Sequence, residues 1–312
     1  MYKLAAKIVI FSDKRWTLDA ITSVKVVLDS TQLTQTCSLT LPKRVKWDGQ
    51  TTLPLKRGDK VEVWLGYDGK LTEVFAGYIR NIQPKNPVQI ECEDEMYRLK
   101  LLKAQPLAYK SVTLDKLLAD QQTGCTVEVM GDQRIGQYRV TAQTVAGALQ
   151  DLADQGIRSF FRLVDGKPVL TCGVMFDRTG ATEHVLRTGV NIVSDRQLQQ
   201  QSAEAMRLRV KVVSMQPSGK SITAEVGDED GELRTLHCYG KTKAEAEAWA
   251  TQELDRLKVD GLTGSVTTFG QRHIGLLDTV AIVIDGKRMG RYQVKANTIT
   301  FGLSGYRQKV EI

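Results

Sequence analysis

The chain has 312 residues, 42% of them hydrophobic and 25% charged, with a formal net charge of +7. That length accommodates two or three domains with sizeable cores. The composition is that of a globular protein, which excludes a disordered chain, and no segment is apolar for long enough to span a bilayer.

The opening MYKLAAKIVIFSDKRW carries only a brief apolar stretch before its charges, so no secretory signal is expected. Cys37, Cys92, Cys125, Cys172 and Cys238 are odd in number and widely spaced, with no C-x-x-C. That usage predicts reduced thiols from a cytoplasmic synthesis and no disulfide framework. The positive charge raises the question of nucleic acid, but it is spread: residues 1–105, 106–178 and 179–312 carry nets of +5, 0 and +2. Without a basic run or a basic patch interleaved with aromatics, a dedicated nucleic-acid surface is not advertised.

Residues 1–105 read as β throughout. AITSVKVVLDS and TCSLTLP supply strands, and PVQIECEDEMYRLKLL one or two more. Between them, Arg57-Gly58-Asp59 would pass for a cell-adhesion tripeptide. The residues after it argue for a bend: Val61, Val63 and Leu65 alternate with Lys60, Glu62 and Trp64, the period of a half-buried strand. Asp68-Gly69 then marks a tight hairpin turn, because glycine tolerates the positive φ required there. Many short strands at this spacing suggest a small barrel or sandwich.

Residues 106–178 read as a small α+β insert. Thr113 caps a helix carrying Leu114, Leu117 and Leu118 that stops at Thr123-Gly124. After Thr141, Val145, Leu149, Leu152 and Ala153 form one stripe of a second helix, ended by Gly156. SFFRLVDGKPVLTCG is another hairpin, with Asp165-Gly166 at its turn. Residues 179–312 return to β, except for a helix at about 243–258. There Thr242 and Glu245 have capping-box spacing, and Ala246, Trp249, Ala250, Leu254 and Leu257 line one face, with Trp249 as a core anchor.

The hairpin GDKVEVWLGYDGKLTEVFAGYI has an echo in LDTVAIVIDGKRMGRYQV. Asp59, Val61 and Val63 match Asp278, Val280 and Ile282; Asp68-Gly69-Lys70 matches Asp285-Gly286-Lys287; Gly77 matches Gly290. An internal duplication would give two similar β-domains separated by the insert. Three such subunits could then build a ring of six barrels, matching sixfold neighbours with threefold symmetry.

Catalytic signals are sparse. His184, His237 and His273 belong to no metal-binding pair, and the adjacent His237-Cys238 would point to opposite faces of a strand. Asp228-Glu229-Asp230-Gly231-Glu232 lacks the alternation of a calcium loop and reads as an exposed turn. Glu91, Glu93, Asp94 and Glu95 form a second acidic cluster, whose proximity in sequence says nothing of a catalytic separation. No nucleophile elbow, Walker loop or dinucleotide fingerprint is present. No catalytic residue, metal ligand or cofactor is therefore expected.

In combination, GDKVEVWLGYDG, the F-x-G-x-I of Phe75 to Ile79 and IECEDEMYRLK resemble the N-terminal barrel of phage baseplate hub proteins. The type is late control protein D of Mu-like contractile tails, related to the hub part of VgrG. TVAGALQDLADQGI, AEAEAWATQEL, DGLTGSVTTFG and the closing FGLSGYRQKVEI agree, in the expected order over nearly the whole chain. The resemblance implies a mainly β chain with an α+β insert and two tail-tube-like β-barrel domains, at 1–105 and 179–312. It implies a homotrimeric ring of pseudo-sixfold symmetry in the virion baseplate, adapting the hexameric tail tube to a trimeric spike. The expected partners are the tail tube protein, a spike on a separate polypeptide, baseplate wedge proteins and the tape measure protein. DNA would pass only in transit, and this chain would insert into no membrane. Gly58, Asp59 and Gly77 would shape the first barrel, and Asp278, Gly286, Gly290 and Gly305 the second. A tail-associated wall-degrading enzyme and a basic nucleic-acid binder are the rival readings.

Overall fold

The computed structural model describes residues 2–45, 47, 53–131, 134–174, 176, 180–216 and 220–312. The first segment holds β1 (Leu4–Phe11), β2 (Arg15–Leu18), β3 (Ser23–Asp29), β4 (Thr36–Thr40), β5 (Lys60–Tyr67), β6 (Lys70–Gln83), β7 (Gln89–Glu93) and α1 (Met96–Leu101). The middle holds β8 (Ala108–Tyr109), β9 (Val112–Thr113), α2 (Leu114–Asp120), β10 (Thr126–Met130), β11 (Arg134–Ile135), β12 (Tyr138–Arg139), α3 (Val145–Asp154), β13 (Arg158–Val164) and β14 (Lys167–Gly173). Then come β15 (Glu183–Arg187), β16 (Ile192–Gln201), β17 (Leu208–Met215), β18 (Ser221–Gly227), β19 (Glu232–Tyr239) and α4 (Lys243–Leu257). The chain closes with β20 (Gly261–Phe269), β21 (Thr279–Ile284), β22 (Lys287–Gln293), β23 (Ala296–Gly302) and β24 (Gly305–Glu311).

The fold is mainly β. One sheet of 11 strands runs in the order β16-β20-β24-β23-β3-β4-β7-β6-β5-β1-β2, so strands from both ends of the sequence share a single ladder. Around it sit smaller sheets: β15-β21-β22, β18-β17-β19 and β10-β14-β13. Alternation places Val61, Val63 and Leu65 in the core. All three Asp-Gly hairpins turn as expected. Asp68-Gly69, Asp165-Gly166 and Asp285-Gly286 have positive φ at both residues, and each is flanked by a closing strand pair. That geometry matches the right-handed twist of the strands it joins.

Two elements depart from the sequence reading. The run after Glu93 continues as α1 and not as a strand. Asp94 accepts a hydrogen bond from the Met96 amide at 3.1 Å and so starts a helical turn, which buries Met96 and Leu99. In the last segment, β17–β19 and α4 form a unit with its own core of Val210, Val212, Ala224, Ala246 and Ala250. β17 and β19 pair in parallel there, which a crossover connection allows and a hairpin does not. The capping box of Thr242 and Glu245 is present, and Trp249 packs partly buried against that core.

The duplication is visible in the ladders themselves. β4 pairs with β7 and β7 with β6, while β20 pairs with β24 and β24 with β23. Following these registers outward aligns Ser38, Leu39 and Thr40 with Ser265, Val266 and Thr267, and Ile90 and Glu91 with Val310 and Glu311. Leu39, Val61, Val63, Ile79, Ile90 and Cys92 lie in the first core, and their counterparts Val266, Val280, Ile282, Val294, Val310 and Ile312 in another. The two halves are copies of one packing unit.

Candidate assembly surface

Each copy is anchored by a tight turn before its hairpin. In the first, Gly58 has φ +91°, its amide donates to the Ile79 carbonyl at 2.9 Å, and the Ile79 amide donates to the Asp59 carbonyl at 2.9 Å. The buried Asp59 carboxylate accepts from the Lys56 amide at 2.9 Å. In the second copy Leu277 has φ +66°, its amide donates to Val294 at 3.1 Å, and the Val294 amide donates to Asp278 at 2.8 Å. The Asp278 carboxylate accepts from the Gly275 amide at 2.8 Å. The tripeptide at 57–59 is thus a turn whose aspartate faces inward.

The register corrects one pairing drawn from sequence. Val61 opposes Gly77, whereas Val280 opposes Tyr292; Gly290 opposes Ile282, as Phe75 opposes Val63. The counterpart of Gly77 is therefore Tyr292, two residues from Gly290. Each return strand has a bulge just beyond, at the same place. At Gly77 the Glu93 carbonyl would lie 2.1 Å from an added Cβ, so β7 crosses too close for any side chain. The Tyr292 hydroxyl would lie 2.5 Å from a Cβ at Gly290. Gly286 completes its turn with Asp285, and Gly305, with φ +95°, closes the β23–β24 hairpin.

The two copies meet at β3 and β23, which pair from Ala296↔Asp29 to Phe301↔Val24. Ser30 closes the seam, donating its amide and its hydroxyl to the Lys295 carbonyl. The far end of the β23–β24 hairpin pushes Ile299, Phe301 and Tyr306 into the first copy's core. Tyr67 donates its hydroxyl to the Tyr306 carbonyl at 3.1 Å. A buried cluster of Asn297 and Gln308 ties this hairpin to the loop before β21. The Asn297 side-chain Nδ2 donates to the Ile274 backbone carbonyl at 2.7 Å, and the Gln308 side-chain Oε1 accepts from the Ile274 backbone amide at 3.0 Å. Nothing in the sequence placed Ser30 or Lys295 at this seam, and Tyr306 entered only within the closing FGLSGYRQKVEI, with no role in the seam.

Where the three segments converge lies a cavity of about 210 Å³, lined in part by Phe75, Asp94, Leu163, His273, Leu276 and Asp278. Burial pushes Asp94 up to about 8 although it accepts from the Gln35 and Met96 amides. His273 is half-buried, but its Nδ1 is sealed from solvent, and burial lowers it to about 4 against the pull of Asp278. His184 Nε2 lies 3.0 Å from Asp278 Oδ2. Among the described residues, no serine or cysteine lines this cavity.

The acidic clusters are engaged by the chain's own cations. Glu91 pairs with Arg80 at 2.6 Å and Glu93 with Lys100 at 2.7 Å; Glu95 pairs with Arg98. Asp228 pairs with Lys258 at 2.7 Å, Asp230 with Arg207 at 2.9 Å and Glu232 with Arg234 at 2.8 Å. Among the described residues, no group of three His, Cys, Asp or Glu is placed to hold a metal ion. No helix of these residues is long and apolar enough to cross a membrane.

Among the described residues, the large sheet has two terminal strands, β16, with β20 on one flank, and β2, with β1 on one flank. The last residues of β6, Asn81 to Gln83, pair with β7 on one flank, while the β5 ladder on the other stops at Lys60↔Tyr78. Such edges are templates for strand addition by another chain.

No family model matches the chain, and no curated protein matches it by sequence. Solved structures do. The prophage MuSo2 43 kDa tail protein from Shewanella oneidensis aligns over 98% of this chain and 97% of its own, with 17% identity and a TM-score of 0.63. A tail protein from Neisseria meningitidis MC58 aligns over 99% and 96%, with 15% identity and a TM-score of 0.65. A chain of the Francisella PdpA–VgrG complex aligns over 100% of this chain and 57% of its own, with 11% identity and a TM-score of 0.56. The chain has the fold of prophage tail proteins, shared with a component of a VgrG complex.

Proposed function

We propose that this chain is the structural hub of a contractile tail baseplate, or of a related injection particle. Three copies close a ring of six similar β-domains, which adapts a hexameric tail tube to a trimeric central spike. Its lumen leaves a channel for the tape measure protein and for DNA in transit. The observation that carries this reading is the duplicated unit joined edge to edge by β3 and β23, with a strand edge exposed in each half. Two unlike edges on one chain make a head-to-tail contact, and head-to-tail contacts generate closed rings when the rotation between units divides a full turn. The tail tube, a separate spike, wedge proteins and the tape measure are the partners of such a ring, and the virion baseplate is its place. The role is geometric and needs no catalytic group or cofactor.

Light scattering over a range of concentrations, followed by negative-stain averaging, tests this. A trimeric ring with a central hole and a near-sixfold outline is expected. A protein that stays monomeric even with its spike would sink the reading.

A further inference from the structure

We infer that the cavity at the convergence of the three segments is a socket for an alkylammonium group, the end of a lysine side chain offered by a partner polypeptide. The socket lies within one chain, so it stands apart from the ring. It runs from the surface to a buried floor. Asp165, at the turn between β13 and β14, and Thr182 are exposed at its rim, whereas Gln35 and Asp94 at its floor are 2% and 4% exposed. Phe75, Phe161 and Leu276, all buried, wall it. Its volume of about 210 Å³ is several times the roughly 30 Å³ share of one water, which leaves room for a short alkyl stem and its charged head.

The floor carries a carboxyl group whose charge the chain leaves uncompensated. Asp94 reaches it from the turn after β7, and its two oxygens accept one backbone amide each, from Gln35 and from Met96, both at 3.1 Å. Those bonds fix the carboxylate in place but bring no positive charge. Lys100 is the cation whose field reaches Asp94, yet its ammonium is held by Glu93 at 2.7 Å, and the Glu93 charge opposes the gain. Arg162, on the cavity wall, turns its guanidinium to Glu128 and Thr171. Asp278 is engaged by His184 at 3.0 Å and by the Gly275 amide at 2.8 Å, and burial keeps His273 neutral. Among the described residues, no salt bridge reaches Asp94, and burial pushes its carboxyl up to about 8.

An ammonium entering past Asp165 supplies the missing charge and lays its methylenes along Phe75, Phe161 and Leu276. Because each Asp94 oxygen already accepts an amide, a compact point charge suits the floor better than the two-pronged fork of a guanidinium. An anion would be repelled by Asp94, Asp165 and Asp278, and an uncharged alkyl group would leave Asp94 without its counter-charge.

The test is calorimetric titration of the full chain at pH 7 with n-butylammonium, which is the lysine side chain cut from its backbone, and with n-butanol and butyrate as controls. One equivalent of n-butylammonium should bind. Its heat should depend on the buffer in the sense of proton release, because Asp94 is largely protonated before the cation arrives and ionised afterwards. Nα-acetyl-lysine methylamide should bind as n-butylammonium does. Asp94→Asn should weaken binding at least about tenfold and remove the proton release. Equal binding of n-butanol would overturn the inference by reducing the cavity to an apolar hole, and an undiminished affinity in Asp94→Asn would overturn it by placing the cation elsewhere. Binding of n-butylammonium but not of the lysine derivative would overturn the partner, since the mouth would then admit only a free amine. No binding of either would overturn the socket itself.

Discussion

Ser30 gives both its backbone amide and its hydroxyl to the carbonyl oxygen of Lys295, at 2.9 and 2.8 Å, across 265 positions of sequence. The residue sits where β3 leaves the sheet, so this pair of bonds terminates the ladder that welds the two copies together. Buried hydrogen bonds of this kind resist removal chiefly because the partner left behind is unpaired.

Ser30→Ala should therefore lower stability by about 1 kcal/mol, and Ser30→Pro by more, since it deletes the amide as well. Urea unfolding monitored by tryptophan fluorescence would show this as a lower midpoint at an unchanged slope. Equal midpoints for Ser30→Ala and the parent chain would mean that the hydroxyl contributes nothing to the seam.

Gly77→Ala should cost about 1–3 kcal/mol or more, the range for forcing atoms into a filled space, because the obstacle is the backbone of Glu93 and cannot swing aside. Gly69→Ala, in the first hairpin turn, is the contrast. Nothing lies within 4 Å of a Cβ there, so its cost is limited to the positive φ of 77°. Thermal melts of the two variants should separate clearly, Gly77→Ala being the lower.

Much of this fold was legible in sequence because the signals were local. Asp-Gly turns, the alternation of Val61, Val63 and Leu65, and the Thr242–Glu245 box each act within a few residues. The duplication was partly legible: the hairpins matched, but the match of Gly77 to Gly290 slipped because the second hairpin is shorter and its bulge is hidden in sequence. Cys37-Ser38-Leu39-Thr40 against Gly264-Ser265-Val266-Thr267, and Ile90-Glu91-Cys92 against Val310-Glu311-Ile312, were available as further echoes. The Ser30–Lys295 seam was not legible, since it depends on which edge of one copy meets the other. The helix after Glu93 was missed because Asp94 reads equally well as a strand-end turn.

His273 should make the protein acid-sensitive. Its folded-state value is held down to about 4 by burial, against 6.5 ordinarily, while Asp278 raises it and His184 lowers it. A depressed value means that the folded state favours the neutral ring. The stability this represents is present above pH 6.5 and is lost as pH falls through about 4. His273→Gln should flatten the fall in melting temperature across that window; an unchanged slope would assign the acid response to other groups.

Asp94 has the opposite sign. Burial raises it from 3.8 to about 8, so the folded state favours the protonated acid. Its contribution is fully present below pH 3.8 and is lost as pH rises through about 8. Asp94→Asn keeps an acceptor for a backbone amide and cannot ionise. Its melting temperature should decline less than that of the parent chain between pH 5 and pH 9, and parallel curves would show that Asp94 does not titrate in this way.

Tyr306 joins the two copies through packing and not through its hydroxyl. The ring is fully buried in the first copy's core although it belongs to the second copy's hairpin, and it lies against the backbone of Gly270. Its hydroxyl has no hydrogen-bond partner among the described residues. Removing a buried polar atom that is unpaired relieves a desolvation cost, so Tyr306→Phe should match or exceed the parent stability. Tyr306→Ala removes the ring itself and should cost about 3–5 kcal/mol, the range for large aromatic deletions from cores. Because that loss falls on the contact between the copies, hydrogen exchange should report faster opening on both sides of it, in β5 and in β23. Opening confined to β23 and β24 would show that the first copy's core stands without its neighbour.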